Sequence, residues 1–130
     1  MKVTNVLTEY LKNPIGIDII SPRIMWNLEG VRRQDAFEIF YKVNGKEHTS
    51  GIINSNSMHY DFKECFKSRT IVTFVIKALC DGNWVSSDEN SFEIGLLNKE
   101  DWKANWISGD YVPKKKRRYP VDYFKKVFNL

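Results

Sequence analysis

Residues Thr70 to Cys80 read Thr-Ile-Val-Thr-Phe-Val-Ile-Lys-Ala-Leu-Cys, the longest apolar run in the chain. Val72, Phe74, Ile76, Ala78 and Cys80 share one parity while Thr73 and Lys77 fall on the other, so the period is two and not that of a helix. β-branched and aromatic side chains suit a pleated surface. The run therefore predicts a central strand on which the remaining elements pair or pack. It ends at Asp81-Gly82, a dipeptide that accepts the positive φ angles of a tight hairpin turn, so an antiparallel neighbour is expected directly after it.

The same alternation recurs along the chain. Val3 to Tyr10 predicts an edge strand with Val3 and Leu7 on one parity and Val6 on the other. Asn13 to Asp18 is turn chemistry, and Arg23 to Leu28 predicts a half-buried strand with Ile24, Trp26 and Leu28 inward. Ala36 to Val43 places Phe37, Ile39, Tyr41 and Val43 on one side, and Asn44-Gly45 then turns the chain back through Lys46 to Ile53, with a bend at Ser50-Gly51. Met58 to Phe62 is a short strand, and Trp84 to Ile94 is a last one broken near Ser86-Ser87. About seven short strands with regular turn signals predict an all-β fold, an antiparallel β-sandwich spanning residues 1–97.

After Leu96 the texture changes. Asn98 is placed to cap a helical turn over Lys99, Glu100 and Asp101, with acidic residues in the first turn as the helix dipole favours. Residues 98–120 read as a linker that contains this turn and a basic stretch, Lys114 to Arg118, between Pro113 and Pro120. Residues 121–130 read as one more strand, with Phe124, Phe128 and Leu130 on one parity, opening a second, truncated sandwich. Trp102 and Trp106, four apart, are expected with Phe124 and Phe128 to contact a neighbouring domain.

Charge narrows the partners. Lys and Arg total 20 against 16 Asp and Glu, but five of the basic residues sit in the linker, and without them the sandwich is close to neutral. No stacking platform or recognition helix accompanies the cluster, so no nucleic-acid partner is expected. No stretch approaches the roughly 20 apolar residues of a membrane span, and Met1 to Asn5 leads into no secretory segment, so a cytoplasmic location is expected. Cys65 and Cys80 are too few for a disulfide framework and are expected as reduced core residues.

No catalytic constellation emerges. His48 and His59 lack ligand partners at zinc-site spacing, so no metal or other cofactor is expected. Asp61 with Glu64, and Asp88 with Glu89, are pairs of carboxylates in polar turns, where nothing raises a pKa into the range of a general acid. Trp84, beside a turn, and Tyr60 are the candidate platform if the domain binds sugar by itself, as a free-standing carbohydrate- or protein-binding module.

A family resemblance runs along nearly the whole chain. Leu7 to Leu11 followed by Asn-Pro-Ile-Gly-Ile-Asp at 13–18, Pro22 to Trp26, and Asp101-Trp-Lys-Ala-Asn-Trp-Ile107 are similar to markers of the amino-terminal region of bacterial α-L-rhamnosidases of glycoside hydrolase family 78, in the same order. The chain departs from them at Val72 and Phe74, where aromatic Tyr and Trp are frequent. The resemblance implies a fibronectin type III-like or immunoglobulin-like sandwich serving as a non-catalytic accessory or scaffold domain. It further implies that its partners are the neighbouring domains of one polypeptide. The parent would be an inverting glycoside hydrolase acting on terminal non-reducing α-L-rhamnose, with its catalytic carboxyls beyond Leu130.

Overall fold

The computed structural model describes residues 1–109 and 121–129. Among the described residues nine strands form two sheets. β1 (Lys2–Thr8), β3 (Arg23–Glu29) and β6 (His59–Asp61) make the smaller sheet, in the order β1-β3-β6. The larger follows the order β2-β9-β7-β4-β5, from β2 (Ile15–Ile17), β9 (Asn90–Ile94), β7 (Ile71–Cys80), β4 (Gln34–Val43) and β5 (Lys46–Thr49). β8 (Asn83–Ser86) also pairs with β7. The two sheets close on one core as an immunoglobulin-like sandwich.

β7 is central, as its alternation predicts: Val72, Phe74, Ile76, Ala78 and Cys80 are all buried. It pairs antiparallel with β4 along nearly its whole length. From the other sheet Ile24 and Trp26 meet this layer, and fully burying side chains such as Trp26, Phe74 and Phe92 contributes about 2 kcal/mol each. Phe62, Phe66 and Phe92 pack edge-to-face with centroids 5.3 to 5.6 Å apart, a favoured ring geometry.

Both hairpin dipeptides form the expected turns. Asn44-Gly45 sits at φ 48° and 88°, and Asp81-Gly82 at φ 47° and 81°. Gly51, also at positive φ, makes the bend after β5, and Ile53 then rejoins Phe37 through a pair of backbone bonds of 2.8 and 2.9 Å.

Four features differ from the sequence reading. Ile15–Ile17 is a strand, parallel to β9, where a turn was expected: Pro14 O accepts Glu93 N–H and Ile17 O accepts Gly95 N–H, so a Pro-Gly-rich segment is held extended by an edge. The last strand is two, because the chain leaves β7 at Ser87 and returns at Asn90. In β1 a bulge between Thr4 and Leu7, with Asn5 at φ 47°, shifts the parity, so that Val3 and Val6 are buried together and Leu7 faces out. Cys80 is buried, but Cys65 is exposed, because the irregular segment after β6 gives its core positions to Phe62 and Phe66.

Candidate functional site

The sandwich ends in a polar clasp. Ser68, in the turn before β7, donates its hydroxyl to Asp101 Oδ2 at 2.5 Å and accepts the Leu97 N–H at 3.0 Å. The same Asp101 oxygen takes the Asn98 backbone N–H at 3.1 Å and its side-chain amide at 3.2 Å. Lys99–Asp101 is a single 3-10 turn, with Asn98 at its start as expected. The bond from Ser68, those from Asn98 and the charge of Arg69 hold the Asp101 carboxyl below the usual carboxylate range.

Beyond the clasp the expected contact residues stand in solvent. Trp102, Trp106, Phe124 and Phe128 are 56, 93, 57 and 68% exposed. The two indoles stack on each other, centroids 6.3 Å apart and planes at 25°, although residues 102–109 form no helix to align them. Gly109 N–H donates to Asp122 Oδ2 at 3.2 Å. Residues 121–129 pair with no strand among the described residues. The basic stretch from Lys114 to Arg118 lies outside the described residues.

Trp84 and Tyr60 do not come together. Trp84 is 45% exposed on β8, opposite Leu79 and on the side of the sandwich where β8 approaches β1. Tyr60 is on β6, at the other edge of the smaller sheet, and its ring packs edge-on against Phe37 and Phe62. Burial, followed by the charge of Glu64, raises its pKa.

Asp61 and Glu64 are occupied structurally. Asp61 receives both Nε and Nη2 of Arg23, at 2.5 and 3.1 Å, which lowers its pKa. Glu64 accepts the Tyr41 hydroxyl at 2.9 Å and lies 3.9 Å from His48 Nδ1, while the His48 ring stacks on Tyr41. Asp88 and Glu89 are exposed in the loop between β8 and β9. These carboxylates are tied to Arg23 and Tyr41 or stand in a surface loop, and are not paired across a cleft as acid-base hydrolysis requires.

The family described as Rha78A-like, N-terminal immunoglobulin domain matches residues 3–98. The chain belongs to that family. The matched span of this Rha78A-like domain stops at Asn98, the residue that opens the 3-10 turn. An α-L-rhamnosidase from Formosa agariphila is 29% identical over 95% of the chain, and one from Streptomyces avermitilis 25% over 83%. The chain spans only 16% and 12% of those two relatives. The crystal structure of the Streptomyces avermitilis enzyme complexed with L-rhamnose superposes with a TM-score of 0.69 at 27% identity, over 82% of this chain and 12% of that one. The α-L-rhamnosidase of Dictyoglumus thermophilum superposes at 0.70 with 23% identity, over 83% and 14%, a likeness of fold.

Proposed function

We propose that this Rha78A-like domain is the non-catalytic, amino-terminal scaffold of a longer α-L-rhamnosidase, which releases terminal α-L-rhamnose from rhamnosides. The observation that supports this most is the family match over 3–98 combined with relatives that are rhamnosidases six to eight times longer. The domain's own carboxylates are engaged with Arg23, Tyr41 and Ser68, which fits a supporting role. Trp102, Trp106, Phe124 and Phe128 supply the contact with the neighbouring domain: exposed aromatic side chains gain most from being covered, and they anchor interfaces. In this reading residues 121–130 gain their strand partners from that neighbour.

The test compares this chain with the longest natural product of its gene, detected in cell extract by an antibody against the domain. A product several times larger than 15.3 kDa that hydrolyses an aryl α-L-rhamnoside, while the 130-residue chain does not, is the expected result. A natural product of 15.3 kDa, or a large one without rhamnosidase activity, overturns the proposal.

A further inference from the structure

The outer face of the smaller sheet holds an open groove of about 360 Å³. Its floor is the cross-strand pair Leu7 and Met25, both half-buried, with His59 opposite Met25 on the next strand. Asn27, two residues along β3 and so on the same face, and Asn5, turned out by the β1 bulge, stand at one end. Among the described residues neither of these side-chain amides makes a hydrogen bond.

Tyr10 forms the other wall, and the backbone that places it is unusual. Thr8 and Leu11 exchange backbone bonds of 2.8 and 2.9 Å around Glu9-Tyr10, at φ 47° and 66°. A two-residue turn with both φ values positive normally takes Asn-Gly, because a Cβ is strained there. Glu9 holds the turn: its N–H donates to Arg23 O at 3.0 Å and its carboxylate accepts the Arg23 N–H at 2.6 Å. Among the described residues the Tyr10 side chain makes no hydrogen bond, and the residue is 73% exposed. Glycine would take this backbone conformation without strain, so the phenol stands here at a conformational cost.

We infer that this groove binds a neutral pyranoside, with the ring's apolar face against Tyr10 and Met25 and its hydroxyls on the Asn5 and Asn27 amides. Charge supports the choice of ligand. Arg23 closes bidentately on Asp61, so the groove offers no free guanidinium to an anion and no free carboxylate to a cation. An apolar floor with a few uncommitted polar groups at its rim is the usual form of a small-molecule site. Choosing a rhamnoside as the first probe rests on the function proposed above; the groove itself does not.

The test is a titration of the 15N-labelled 130-residue chain with methyl α-L-rhamnopyranoside, with sorbitol as an acyclic control. Saturable shifts at residues 5–11, 25–27 and 58–59, with Kd of about 1 mM, are expected. Tyr10→Gly, a residue the turn accepts, is expected to weaken binding about tenfold or more, as is Asn27→Ala, while Trp84→Ala leaves it unchanged. Linear shifts without saturation up to about 100 mM, equal shifts with sorbitol, or a response centred on Trp84 would each overturn the inference. None of these outcomes touches the hydrolase assay of the longer polypeptide, so the two readings fail separately.

Discussion

Trp26 Nε1–H donates to Gln34 Oε1 at 3.0 Å, one buried polar bond joining β3 of the smaller sheet to β4 of the larger. The Gln34 amide then donates to Ser55 O at 3.1 Å and Ser57 O at 2.9 Å, in the connection that carries the chain from β5 to β6. A single side chain thus ties both sheets and the crossing between them. Gln34→Ala strands the buried indole N–H and leaves the two half-buried carbonyls to water. The expected loss is about 2 kcal/mol, within the roughly 1–3 kcal/mol of one buried group left unsatisfied. Urea denaturation measures it, and a loss below about 1 kcal/mol would show that water replaces the amide.

The Glu9-Tyr10 turn predicts an uncommon stabilising substitution. Tyr10→Gly relieves one strained residue, and its expected gain is about 1 kcal/mol in chemical denaturation. Replacing Glu9 by Ala has the opposite sign, because it removes the acceptor of the Arg23 N–H and leaves Tyr10 strained. If both variants lose stability, the turn owes its shape to contacts of Tyr10.

Asp101 links the clasp to pH. Its folded pKa is below that of the unfolded chain, so its contribution is complete above the ordinary carboxylate value of about 3.9 and is lost as the pH falls through the folded value. Ser68→Ala removes the first cause of the depression. Carbon-detected NMR titration of Asp101 is expected to show its pKa rising toward the ordinary value in this variant, with the sandwich signals unchanged. An unmoved pKa would assign the depression to Asn98 and Arg69 instead.

Tyr41 acts at the alkaline end. Burial, followed by its bond to Glu64, raises the phenol pKa above that of an unfolded tyrosine. Its stabilisation is therefore intact below about pH 10 and disappears as the pH climbs through the folded value. Tyr41→Phe is expected to flatten this alkaline decline in stability, read from melts between about pH 9 and 11. A decline of unchanged steepness would place the titrating group elsewhere.

Trp102→Ala is expected to leave the melting temperature of the 130-residue chain within about 1 °C, because the side chain is exposed and stacks on the still more exposed Trp106. The same substitution in the longer polypeptide is expected to lower its stability by about 2 kcal/mol, the loss typical of a buried interface aromatic. Differential scanning calorimetry of both separates a covered indole from a bare one.

Much of this fold is legible in the sequence because period-two patterning is a local signal. β7, β4 and the Asn44-Gly45 and Asp81-Gly82 turns are read directly, as is the inward face of Trp26. The misread positions depend on pairing at a distance. Asn5 offers no mark of the bulge that turns Val6 inward, and Ile15–Ile17 becomes a strand only because β9 runs beside it. The Trp84–Tyr60 platform dissolves for the same reason: the two side chains go to different sheets, which neither one's local pattern encodes. Glu9-Tyr10 lies further from view, since a turn that normally takes Asn-Gly is built there from residues with none of that preference. Trp102, Trp106, Phe124 and Phe128 are legible as apolar side chains without an inward partner, and all four stand exposed.

The Ser68–Asp101 clasp fixes a heading. Ser68 stands at the entry to the central strand and Asp101 just past the last turn, so the route out of the sandwich is set by a residue 33 positions earlier. An elbow locked in this way sets where Trp102 leaves the sandwich. In the scaffold role proposed above, a variant with the clasp open would keep a correctly folded sandwich and lose the fixed exit of its chain.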